Sequence, residues 1–101
     1  MRYTFGSFLK EHRERLDLTQ TEFGALVKIN TSAISRIENG SQKFASNKLD
    51  KLSQLFSIDI QSIKDLYYAD KFAYEAINNN CSASVFEVAE KTIQYLRSNT
   101  I

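Results

Sequence analysis

Proline is absent from this 101-residue chain, and glycine occurs only three times, at Gly6, Gly24 and Gly40. So few turn-forming residues favour helices joined by short connections, an all-α fold. The single cysteine, Cys81, excludes an internal disulfide and a cysteine-based zinc site. The single histidine, His12, leaves no metal cluster and no acid–base pair. No apolar run approaches the roughly 18 to 20 residues that a membrane span requires, and no signal-peptide pattern opens the sequence. The chain also lacks a Cys–His pair, a phosphate-cradling loop and a convergent carboxylate motif, so an enzyme is not expected. These absences describe a cytoplasmic helical protein without a metal, a cofactor or a membrane partner.

What remains is ordinary in bulk and uneven in detail. Hydrophobic residues make up 43% of the chain and charged residues 25%, too apolar for disorder and typical of one small globular domain with room for an appendage. The net charge of +1 says little about partners, but its distribution says more. Residues 1–48 carry eight Lys/Arg against five acids, whereas residues 49–101 carry five against seven. A basic first half suits contact with phosphates.

Apolar spacing places the helices. Phe5, Phe8, Leu9, His12 and Leu16 recur at intervals of three and four, an amphipathic helix over 5–16. Thr19-Gln-Thr-Glu22 is a capping box that starts a second helix over 20–27, with Phe23, Leu26 and Val27 as its buried side. Asn30 caps a third over 31–38, which Asn39-Gly40 ends. Ser46 or Asn47 is expected to cap a fourth, with Leu49, Leu52, Leu55 and Phe56 inward, and Asp59 a fifth, with Ile60, Ile63, Leu66 and Tyr67. A separate sixth helix is expected over 69–78, then a polar break at Asn78-Asn79-Asn80. Ser84-x-x-Glu87, a second capping box, opens a seventh that runs to about Ser98.

The second and third helices carry the functional signal. Only about three residues, Lys28 to Asn30, join them, the spacing of a helix-turn-helix unit. Gly24 lies inside the second helix, where glycine costs about 1 kcal/mol relative to alanine, so close approach by the third helix is expected there. On the third helix Ser32, Arg36 and Asn39 share a face, flanked by Thr31 and Ser35, while Ile34 and Ile37 point the other way. A polar face with no acid on it suits a DNA major groove. Arg36 has the chemistry to pair bidentately with guanine O6 and N7, and Thr31 and Ser32 can donate or accept at base edges or phosphates.

The stretch from Leu18-Thr-Gln through Val27, followed by Asn30-Thr-Ser-Ala-Ile-Ser-Arg-Ile-Glu-Asn-Gly40, resembles the helix-turn-helix of the lambda-repressor-like (Xre) family over about residues 5–66. The resemblance implies a five-helix DNA-binding domain over 3–66, leaving 67–101 as a two-helix C-terminal extension. It further implies base reading by Thr31, Ser32 and Arg36. Phosphate contacts are implied for Gln20, Asn39 and Lys43, and a structural ion pair between Arg13 and Glu38. Lys28 stands where the family commonly has glycine, so a non-glycine residue is expected in an unusual backbone conformation there.

The last helix carries Val85, Val88, Ala89, Thr92, Ile93 and Leu96 on one stripe, with Phe86 and Tyr95 beside it. We expect Val85, Val88, Ala89, Ile93 and Leu96 to form a homodimer interface, because pairing two recognition helices on adjacent half-sites multiplies specificity. Cys81 is expected to be an inert, partly buried thiol and His12 a solvated or half-buried side chain. The expected function is sequence-specific double-stranded DNA binding by a homodimeric transcriptional regulator acting on an inverted repeat. Restriction–modification controllers, phage repressors and antitoxins with a toxin partner all fit the family, with a restriction–modification controller placed first. A protein-binding adaptor on the same scaffold is the alternative of a different class.

Overall fold

A computed structural model describes residues 4–99. Tyr3, Thr100 and Ile101, at the ends of the expected segments, lie outside the described residues. Among the described residues the fold is all-α, with helices α1 (Phe5–Arg15), α2 (Gln20–Val27), α3 (Thr31–Glu38), α4 (Leu49–Phe56), α5 (Ile60–Asn78) and α6 (Val85–Ser98). A short 3-10 turn, Ser46–Lys48, leads into α4. The chain forms two compact units, one up to Asp70 and one from Lys71 onward.

Capping accounts for where most helices of the first unit begin. The Thr4 side chain accepts from the Ser7 amide and starts α1. At α2 the box is complete: the Glu22 amide donates to Thr19 Oγ1 at 3.0 Å, and the Thr19 amide donates to Glu22 Oε1 at 2.8 Å. Asn30 Oδ1 accepts from the Ala33 amide at 2.8 Å to start α3, and Asp59 accepts from the Ser62 amide ahead of α5. Each such cap contributes about 1 kcal/mol.

Helix α4 starts otherwise than expected. Neither Ser46 nor Asn47 caps it through a side chain; the Lys48 amide donates to the Ala45 carbonyl, and the chain winds through the 3-10 turn. At α6 the expected Ser84–Glu87 box is also missing. Ser84 already has helical dihedrals (φ −61°, ψ −16°), and the Val85 and Phe86 amides donate to the Ser82 and Ala83 carbonyls, so the first turn is satisfied by backbone. The two helices expected over 60–67 and 69–78 are one helix of 19 residues. No glycine or proline lies between Tyr67 and Phe72, and nothing there ends the ladder.

Twelve residues from α1 to α5 build the core of the first unit, with Leu9, Phe23, Ile34, Leu52 and Ile63 fully enclosed. Phe5, Phe8, Phe23, Phe44, Phe56 and Tyr67 form a network of aromatic contacts through it. Leu16 and Leu26, expected on buried faces, are exposed. Leu16 is the C-cap of α1, outside its last full turn. His12 is half-buried and stacks on Phe56.

The turn between α2 and α3 shows what constrains Gly24. A Cβ on Gly24 would lie 2.3 Å from the Ile29 carbonyl oxygen and 3.3 Å from Ile34 Cγ1. The turn itself, more than the third helix, leaves no room for a side chain. Lys28 takes the left-handed conformation (φ 60°, ψ 48°), and the Ile29 amide donates back to the Gly24 carbonyl. Lys48 supports this strained corner by donating to the Val27 carbonyl at 2.8 Å.

In the second unit, Phe72 and Phe86 meet edge to face, Ala76 is buried, and Val85 and Ala89 are half-buried. The Asn80 backbone is left-handed, and the Cys81 amide closes the end of α5 on the Ala76 carbonyl. Cys81 itself is exposed rather than partly buried, because it lies on that polar turn outside both helices. Among the described residues no helix is long and apolar enough to cross a membrane. Nor, among those residues, is any group of three or more His, Cys, Asp or Glu placed to hold a metal ion.

Candidate nucleic-acid interface

Helix α3 divides as its sequence requires. Ala33, Ile34 and Ile37 are buried, while Thr31, Ser32, Ser35, Arg36 and Asn39 are exposed. Its orientation is held from beneath by one carboxylate. Glu38 Oε2 accepts from Arg13 Nε at 2.7 Å, and Glu38 Oε1 accepts from Arg13 Nη2 at 3.1 Å and from Gln20 Nε2 at 3.0 Å. Arg13 Nη1 also donates to the Leu18 carbonyl at 2.7 Å, tying in the connection between α1 and α2. Both partners of the ion pair are buried, and the hydrogen bonds that Arg13 donates to Glu38 raise the Arg13 pKa above the ordinary arginine value despite burial. Four fixed groups from α1, α2, α3 and a loop thus converge on one point.

The rim of this face carries its own contacts. The hydroxyls of Thr21 on α2 and Thr31 on α3 are hydrogen-bonded at 3.0 Å, bracing the start of the helix. Gln20 gives one amide N–H to Glu38 and keeps a second donor at the α2 N-terminus. Asn39 Oδ1 accepts from the Ser41 amide and hydroxyl, which leaves its NH2 group as the donating end. Lys43 is exposed in the loop that follows.

At the C-terminus of α3 the chain makes a Schellman turn. The Gly40 amide donates to the Ile37 carbonyl, the Ser41 amide donates to the Arg36 carbonyl, and Gly40 takes φ 90°. This brings Gln42 beside Arg36, and Arg36 Nε donates to Gln42 Oε1 at 2.8 Å. Helix periodicity does not place Thr21 or Gln42 at this face. A signal for Gln42 existed in Asn39-Gly40, since that turn folds the next residues back over the preceding helical turn.

The candidate dimer residues lie in the second unit. Val88, Ile93 and Leu96 are exposed, at 60%, 47% and 56%, while Val85 and Ala89 are half-buried.

Two short helices joined by a three-residue turn, the second with its polar side outward, define a helix-turn-helix unit. A helix-turn-helix family model matches residues 9–63. The chain belongs to the lambda-repressor-like (Xre) helix-turn-helix family, a family of DNA-binding regulators. It is similar to Antitoxin PezA of Streptococcus pneumoniae, 34% identical over 58 residues that cover 57% of this chain. The match covers 37% of that protein's length, so the chain corresponds to little more than a third of this curated relative.

Proposed function

We propose that the protein is a sequence-specific, non-enzymatic regulator that binds duplex DNA as a homodimer on an inverted repeat. The supporting observation is the acid-free face of α3, with Thr31, Ser32 and Arg36 exposed above the buried Arg13–Glu38 pair and the half-buried Gln20 that joins it. In this reading α3 enters the major groove, Arg36 reads a guanine, and Thr31 and Ser32 contact neighbouring base edges. Gln20, Asn39 and Lys43 hold the phosphates on either side. Residues 3–66 bind DNA and residues 67–101 dimerise, through Val88, Ile93 and Leu96 with Val85 and Ala89 beneath. Work on duplex DNA implies a cytoplasmic protein.

Fluorescence anisotropy of labelled duplex DNA across a salt series tests the phosphate contacts. Affinity should fall log-linearly with salt, the slope being about −0.9 per phosphate neutralised. Lys43→Ala should reduce that slope by about one unit without changing sequence preference. A salt-independent signal would contradict binding through phosphates.

A second reading keeps the same DNA face and adds a protein partner. The similarity to Antitoxin PezA favours an antitoxin that represses its own operon and is held by a toxin protein. No comparable observation favours a restriction–modification controller. Co-purification with the product of an adjacent gene separates the readings: a stable complex with a growth-inhibiting partner supports the antitoxin, and an adjacent methyltransferase gene supports a controller.

A further inference from the structure

We propose that Gln42 is a specificity-determining residue that acts by positioning Arg36, an inference that rests on the reading of Arg36 as a base-reading side chain. Arg36 is exposed, and a long exposed arginine ordinarily samples many rotamers. Here its guanidinium is held at the root. Nε donates to Gln42 Oε1 at 2.8 Å, and Gln42 is placed by the Schellman turn that returns the Ser41 and Gln42 amides to the Arg36 carbonyl at 2.9 and 3.3 Å. Backbone and side chain of Arg36 are therefore gripped by the same three-residue loop.

The chemistry of the pairing selects one edge. Nε–H can only donate, so the Gln42 amide must present its oxygen to it. With Nε occupied, Nη1 and Nη2 are the donors that remain for a bidentate pair with guanine O6 and N7. Gln42 thus selects the end-on mode and removes rotamer freedom before DNA arrives, which preserves affinity that ordering would otherwise cost.

The test uses the full chain, a duplex recovered by selection from a randomised library, and single-base-pair variants of that duplex. Arg36→Ala should abolish the preference at one base pair. Gln42→Ala should weaken the preference at that same pair by about 2- to 10-fold, the effect of releasing one long side chain, and should leave the other positions and the melting temperature unchanged. Gln42→Glu keeps an acceptor for Nε, so it should retain the preference while lowering affinity for all sequences through its charge. The double variant should be no less selective than Arg36→Ala alone.

If Arg36→Ala relaxes one base pair and Gln42→Ala leaves that pair's preference intact, base reading stands and positioning by Gln42 is overturned. A Gln42→Ala effect at a different base pair, or an equal loss on every sequence, overturns it too. If Arg36→Ala weakens all sequences alike, the base-reading assignment itself fails and takes this inference with it. A measurement on the free protein is independent of DNA: the Arg36 Nε–H heteronuclear NOE should be high in the wild type and fall in Gln42→Ala. An Arg36 Nε as mobile in the wild type as that of exposed Arg97 overturns the proposal.

Discussion

Arg13 and Glu38, 25 residues apart in sequence, form a buried two-point ion pair whose carboxylate also accepts from Gln20. The pair joins α1 to the end of α3, and Gln20 ties the start of α2 to the same point. It thereby sets the angle at which α3 leaves the core. Glu38→Ala strands a buried guanidinium, a loss of about 3–5 kcal/mol. Thermal or urea unfolding should register it as a large fall in midpoint, with a smaller fall for Glu38→Gln, which keeps one acceptor. An unchanged melting temperature in Glu38→Ala would remove the structural role assigned to the pair.

Tyr67 donates its hydroxyl to the Phe44 carbonyl in the core, and burial, with a smaller contribution from Tyr68, raises its pKa above the ordinary value near 10. The fold therefore favours the neutral phenol. That stabilisation is complete below the unfolded-state pKa near 10 and is lost as pH rises through the higher folded-state pKa. Tyr67→Phe removes the donor and should cost about 1–3 kcal/mol at neutral pH. The gap between variant and wild type should narrow above about pH 10 in melts taken across the alkaline range. A gap that stays constant with pH would show that Tyr67 has the same pKa in the folded and unfolded chains, so that burial does not raise it.

Val88 is 60% exposed on α6, so an aspartate there should leave the helix intact while opposing a homodimer. Sedimentation at micromolar concentration should give twice the 11.6 kDa of one chain for the wild type and the single-chain mass for Val88→Asp. A wild type that sediments only as one chain contradicts the dimer.

Arg36→Ala should cost about 1–3 kcal/mol of DNA binding and relax preference at one base pair, with no change in stability because the side chain is exposed. Competition titrations against substituted duplexes read both quantities. A uniform loss across sequences would make Arg36 a phosphate contact.

Local signals in the sequence reached furthest. Thr19 with Glu22, Asn30 and Asp59 each form the cap that their spacing suggests, because a cap depends on three or four neighbouring residues. Lys28 is left-handed for a similarly local reason. Ser84 failed as a cap although its motif was intact, since the preceding turn had already set it in helical geometry. The continuity of α5 lies in an absence, since no glycine or proline breaks the chain between Tyr67 and Phe72, whereas apolar spacing marks helix faces and not helix ends. Phe44 is buried, yet it is an isolated aromatic in a loop, with no periodicity to mark it as core. The contact of Gln42 with Arg36 needs the three-dimensional course of the Schellman turn, which helix periodicity alone does not convey.

Selection from randomised duplex DNA at moderate salt, followed by sequencing of what the purified wild type retains, tests sequence-specific binding most directly. A homodimeric regulator with α3 in the groove predicts an enriched inverted repeat, with half-site centres about 10 base pairs apart or a multiple of that, and its loss of one position in Arg36→Ala. Recovery of unenriched DNA with only salt-sensitive background would contradict it.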